Sequence, residues 1–170
     1  PDTSTRTVSY TINDGTVDSA VVTSTINLVS VNNAPVNTVP VAQTTAEDTA
    51  KVISGLSIAD SDAGTGNMTV TLAVTHGTVS VAAGTGVTLG TNGTASVTLT
   101  GKLADINTLL TSANAVTYTP TANYNGSDTL TITTSDNGNT GTGGTQTDQD
   151  IVALTVTAVN DQPGFVSGAT

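Results

Sequence analysis

Thirteen acidic side chains stand against three basic ones, Arg6, Lys51 and Lys102, and the acids that could do chemistry fall in loops. Glu47 and Asp48 are adjacent, Asp60 and Asp62 alternate, and Asp128 and Asp136 flank one apolar run. Asn160-Asp161 near the end echoes Asn32-Asn33 near the start. Every donor in these groups is an oxygen. Calcium takes six to eight such ligands from carboxylates, amides, backbone carbonyls and water. A single Asp in a loop ordinarily caps a turn and solubilises the surface. Gathered acids are different, because their charges need a cation.

Other chemistry has little to work with. There is no cysteine, and the one histidine, His76, falls in a hairpin turn, which argues against transition metals and nucleophilic catalysis. No Gly-x-Ser-x-Gly elbow occurs. Glu47 and Asp48 lie on one loop and not as the facing acid pair of a glycosidase. Asp60-Ser61-Asp62-Ala63-Gly64 begins like an EF-hand loop, but Thr71 stands where its bidentate Glu belongs. Gly143-Gly144 lacks the Asp of the calcium-binding nonapeptides. No enzyme is expected.

The elements that must position these acids read as strands. Thr and Val are abundant, and branched side chains suit a pleated surface. Apolar residues make up 36%, aromatics 2% and charged residues 9%. Alternating strands need only one inward face, so a thin Val/Leu/Ile core suffices for a sandwich. The net charge of −10 repels phosphates and anionic lipid, so neither nucleic acid nor membrane is expected as partner. No run of about 18 apolar residues is present to span a bilayer. Without disulfides, metal ions are the usual substitute for stabilising a secreted domain.

The chain carries a repeat. Val31-Asn32-Asn33-Ala34-Pro35 returns as Val159-Asn160-Asp161-Gln162-Pro163, each copy following a β-like run. Thr7-Val8-Ser9-Tyr10 likewise lies over Thr129-Leu130-Thr131-Ile132, and Asp14 over Asp136. Residues 1–33 therefore predict a closing strand pair of a preceding repeat. Residues 34–161 predict a complete unit, and 162–170 the start of a linker. Within the unit, an extended run reaches Thr45, Lys51 to Ile58 resumes it, and Val70, Leu72 and Val74 alternate. Val79 and Val81, then Ala95, Val97 and Leu99, follow around a turn-rich stretch from Gly84 to Gly93. Leu103, Ile106, Leu109 and Leu110 have helical spacing and predict a short helix over 102–112, capped near Asn114. Val116 and Tyr118, Leu130 and Ile132, and Val152, Leu154 and Val156 complete the strands. The tyrosines Tyr10, Tyr118 and Tyr124 read as core or corner residues.

Counting strands from both ends sorts the acids. Asp60, Asp62 and Asp136 fall at the end where the chain enters, with Asn32 and Asn33. Glu47, Asp48 and Asp128 fall at the exit, with Asn160 and Asp161, and these four carboxylates make it the richer cluster. Arg6 takes the position of Asp128 in the earlier strand pair and is expected to pair with an acid such as Asp60 or Asp62.

Taken in order, several motifs carry a resemblance. They are Glu47-Asp48-Thr49, Asp60-x-Asp62, Val116-Thr117-Tyr118-Thr119-Pro120, Asn123-Tyr124-Asn125-Gly126-Ser127-Asp128, Ser135-Asp136-Asn137-Gly138 and Ala158-Val159-Asn160-Asp161-Gln162-Pro163. Most of residues 34–163 resembles the tandem cadherin-like repeats of giant bacterial surface adhesins of the VCBS and RTX-adhesin type. The resemblance implies an all-β, Ig-like Greek-key β-sandwich with calcium at its junctions. One short inserted helix, with the strand before it (94–113), reads as an addition to the shortest members. It implies an extracellular extender that holds a distal adhesive domain away from the cell surface, its partners being neighbouring repeats or copies of itself. The alternative is a filament or sheath subunit joined by strand exchange, motivated by the strand pair at 1–33. A glycan-binding module of a secreted enzyme is weaker, because the chain offers no aromatic cluster.

Overall fold

The computed structural model describes residues 2–163, so the linker expected at 162–170 lies outside the described residues beyond Pro163. The fold is all-β, a sandwich with one short helix. A first hairpin, β1 (Arg6–Tyr10) and β2 (Val22–Ile26), stands as a two-stranded sheet of its own. The body follows with β3 (Val36–Thr38), β4 (Gln43–Ala46), β5 (Lys51–Ile53), β6 (Ser57–Ala59) and β7 (Asn67–Ala73). Next come β8 (Gly77–Val81), β9 (Val87–Leu89), β10 (Ser96–Lys102) and α1 (Leu103–Leu110). The closing strands are β11 (Val116–Pro120), β12 (Gly126–Ser135) and β13 (Thr147–Thr157).

One layer is a six-stranded sheet in the order β4-β13-β12-β7-β10-β9. The other is formed by β5-β11-β8 and the short pair β3-β6. Period-2 alternation turns Met68, Val70 and Leu72 of β7 inward with Val97, Leu99, Leu130, Ile132, Val152, Leu154 and Val156. Ile53, Ile58, Val79, Val81, Val116 and Tyr118 meet them from the opposite layer.

Several boundaries differ from the sequence reading. The run expected to reach Thr45 is cut around Pro40, which has no N–H to give a ladder. The chain changes layers there, with β3 pairing β6 and β4 pairing β13 in parallel. The stretch from Gly84 to Gly93 contains β9, which lines the outer edge of β10. The helix is shorter than 102–112: Lys102 still belongs to β10, Thr111 ends the helix, and Asn114 turns away with φ +59°. Its buried face is Ile106, Leu109 and Leu110, as the spacing predicts. Asn107 of the helix also accepts from Ile58 N at 2.9 Å and donates to Ile58 O at 2.8 Å. That bidentate contact holds β6, and with it the loop bearing Asp60 and Asp62.

The two hairpins share one register. Asp128 pairs Leu154, Leu130 pairs Val152 and Ile132 pairs Asp150 across β12 and β13. Arg6 pairs Ile26, Val8 pairs Ser24 and Tyr10 pairs Val22 across β1 and β2. Each first-strand residue is shifted by 122 positions and each second-strand residue by 128. The positions buried in the body, Leu130, Ile132, Leu154 and Val156, correspond to Val8, Tyr10, Ile26 and Leu28, which are exposed. Tyr10, expected in a core or corner, is 53% exposed.

Candidate metal centre

At the entry end, five expected residues come together. Residues 30–32 pass along the β12–β13 loop: Thr142 N donates to Ser30 O at 2.9 Å, and Asn32 N donates to Thr142 O at 2.8 Å. This seats Asn32 inside, where its Nδ2 donates to Asp136 Oδ2 and to Gly144 O. Asn33 N donates to Asp62 Oδ2 at 2.9 Å, and Asp62 N donates to Asp60 Oδ1 at 3.0 Å. An unbroken chain of contacts thus runs Asp60, Asp62, Asn33, Asn32, Asp136.

The loop itself braces this seat. Gly138 N and Gln146 N each donate to Asp136 Oδ1 at 2.8 Å. Thr140 donates to Asp62 O through both its N, at 3.0 Å, and its Oγ1, at 2.6 Å. The sequence reading missed these partners, because all but the Thr140 hydroxyl are backbone N–H groups, which any residue can supply. Gly141 was also missed. A Cβ on it would lie 2.7 Å from Asn32 N and 2.8 Å from Val31 C, and its φ of +135° is unfavourable to L side chains. Gly141→Ala is therefore expected to undock the linker at a cost of about 1–3 kcal/mol. Hydrogen exchange checks this: the Asn32 and Thr142 amides should lose protection together while those of β12 keep theirs.

Oxygens are in excess at this seat. Asn32 Oδ1, Asp60 Oδ2 and Asp62 Oδ1 are buried and have no protein donor. Asn32 is 6% and Asp62 4% exposed, so water reaches them poorly. Asn33 is satisfied by contrast, its amide Nδ2 donating to Val31 O at 3.2 Å and to Asp62 Oδ2 at 3.1 Å. The oxygens without a donor are thus those of Asn32, Asp60 and Asp62. Burial raises the Asp60 pKa, and the neighbouring Asp62 and Asp136 carboxylates raise it further against the opposing Asp62 N–H bond. Asp136 is held low instead: burial opposes its charge, but the Gly138 and Gln146 amides and Asn32 outweigh it.

Among the described residues no ion pair compensates these acids. Arg6 pairs at 2.6 Å with Asp2, four residues away and exposed, and not with Asp60 or Asp62 as expected. Among the described residues no three His, Cys, Asp or Glu side chains converge to hold a metal by themselves. A calcium ion here would draw on Asn32, Asp60 and Asp62 side chains, with backbone carbonyls and water completing its shell.

The exit end is different. Asp128 faces the interior, where its four acceptor positions take Thr75 N, His76 N, Thr129 N and the Tyr118 hydroxyl at 2.8–3.1 Å. Glu47 is buried and accepts from Val159 N, while Asp48 accepts from Asn123 N. Asn160 and Asp161 are exposed. The four carboxylates expected to make this the richer cluster are thus not brought into one group. His76 is less isolated than its turn suggested. Its ring stacks on Tyr124 with centroids 4.2 Å apart, and Nδ1 lies 3.8 Å from Asp128 Oδ1. Among known proteins, no family model matches this chain, and no curated protein is significantly similar to it in sequence.

Proposed function

We propose that this chain is a structural extender of a large extracellular bacterial adhesin, one of a series of like units, with calcium setting the angle at which the chain enters the sandwich. The observation that carries this reading is the entry seat. A linker lies docked there on Asp62 and Asp136, with Asp60 beside Asp62 and with buried oxygens that lack donors. The shared register of the two hairpins supports a tandem arrangement, with residues 1–33 as the closing pair of a neighbouring unit. In this reading the unit serves as a spacer for a distal adhesive domain.

Calcium among these oxygens ties the linker to the loops that bear Asp62 and Asp136, so residues 1–33 stop swinging relative to the body. Small-angle scattering tests this. The chain in saturating calcium should show a narrower distribution of shapes than in chelator. Superimposable curves would remove the hinge from the reading.

The exposed apolar face of Val8, Tyr10, Ile26 and Leu28 favours a second reading, a filament subunit that offers this hairpin to another copy. A concentration-dependent oligomer that dissolves on replacing Tyr10 and Ile26 by Thr would favour it. A monomer at every concentration would favour the extender.

A further inference from the structure

We propose that Glu47 is a metal-independent latch that fixes the direction in which the chain leaves the sandwich. β4 runs parallel to β13 with Ala46 opposite Thr157. The next residue continues that ladder, because Glu47 N donates to Thr157 O at 2.9 Å. This puts the Glu47 side chain level with the point where β13 ends. It is 5% exposed, and its Oε1 accepts from Val159 N at 2.6 Å. Oε2 lies 3.4 Å from Asn125 Nδ2. Asp48, turned by a φ of +57°, accepts from Asn123 N at 3.0 Å. Two successive acids thus grip two segments, the departing chain and the β11–β12 turn.

The chemistry of this grip is opposite to that of the entry seat. There, buried oxygens lack donors. Here, Glu47 Oε1 closes a short, charge-assisted bond with a backbone N–H just past the last strand residue. Such bonds are roughly twice as strong as neutral ones. No cation is needed to hold it, and Asp128 at the same end is already saturated by four donors. The two ends of one unit are therefore set by different means, the exit by Glu47 and the entry by its oxygen-rich seat.

Amide hydrogen exchange of the whole chain, read by NMR in calcium and in chelator, tests the latch. Val159 is expected to exchange roughly tenfold or more slowly than an unprotected amide, with the same rate in both conditions. Glu47→Ala should abolish that protection, and Glu47→Gln should retain part of it, because the amide oxygen still accepts. The Leu130 amide, deep in β12, reports whether each variant remains folded. Protection of Val159 that appears only with calcium would make Glu47 a metal ligand and overturn the proposal. An unprotected Val159 in the wild-type chain, or one unmoved by Glu47→Ala, would do the same. If Glu47→Ala fails to fold, the wild-type and Glu47→Gln chains in chelator still decide. The Asn32 amide in the same spectra reports the calcium reading of the entry seat separately.

Discussion

Calcium at about a hundred times its dissociation constant is expected to raise the unfolding midpoint of this chain by roughly 5–10 °C, and Asp62→Ala is expected to erase that rise. Binding to the folded state alone adds ~2.7 kcal/mol at that ratio, and a chain of this size moves by about 2–4 °C per kcal/mol. Asp62 is the right residue to remove, because its two carboxylate oxygens link the seat. One accepts from Asn33 N, and the other is buried without a donor. The variant also loses the Asn33 bond, so its midpoint falls in either condition. Each variant is therefore compared with itself in calcium and in chelator, and that baseline loss cancels. The sign of the pH dependence is fixed as well. Asp60 has a folded pKa raised above its unfolded value, chiefly by burial. In chelator its contribution is most favourable at low pH, and it falls as pH rises from the unfolded value through the folded one. A bound cation replaces that proton, so the benefit of calcium should be larger at neutral pH than near pH 4. Equal wild-type midpoints with and without calcium at pH 7 would remove metal from the seat.

Much of the arrangement was legible from spacing, and the failures have physical causes. Strand counting placed Asn32, Asn33, Asp60, Asp62 and Asp136 at one end, because each strand crosses the sandwich once and reverses direction. The same count placed Asp128 at the exit but could not say which way it points. Its phase could have: Asp128, Leu130, Ile132 and Thr134 alternate along β12 and share the inward face, and Asp136 just past its end keeps the phase. An inward carboxylate at a strand start must find donors, and it finds them in the turn at Thr75 and His76. The partners of Asp136 and Glu47 were invisible for another reason. Apart from Asn32 and Asn125, they are backbone amides of Gly138, Gln146 and Val159, and no side-chain type announces a backbone donor. β9 was hidden because a three-residue edge strand in Gly- and Thr-rich sequence has no periodicity to show. The layer change between β3 and β4 leaves only a proline as its trace.

Replacing Asp128 by Ala is expected to lower stability by about 3–5 kcal/mol, because this buried carboxylate accepts four hydrogen bonds and bonds to a charged group are worth roughly 1.5–3 kcal/mol each. That is a large part of the ~5–15 kcal/mol by which domains are stable. At about 2–4 °C per kcal/mol the midpoint falls by roughly 6–20 °C. Thr75 N, His76 N and the Tyr118 hydroxyl all lose their acceptor, although that hydroxyl lies also 3.0 Å from His76 O and keeps one partner. Tyr118→Phe should therefore cost only about 0.5–1.5 kcal/mol in hydrogen bonding. Acid titration gives an independent check. Burial pushes the Asp128 carboxyl up, but its backbone amide donors and Tyr118 outweigh this and hold it below the ordinary value. The stability it confers is thus complete above the unfolded pKa near 3.9 and is lost as pH falls through the folded value. Asp136 titrates in the same direction, so the quantity to follow is the wild type minus Asp128→Asn difference. That difference should be flat above about pH 5 and shrink below about pH 4. Calcium separates the two ends of the molecule. The Asp128 deficit should be equal in calcium and in chelator, because four protein donors already fill its acceptor positions. A deficit that appears only with calcium would make Asp128 a ligand, and one under about 1 kcal/mol would mean its donors find water instead.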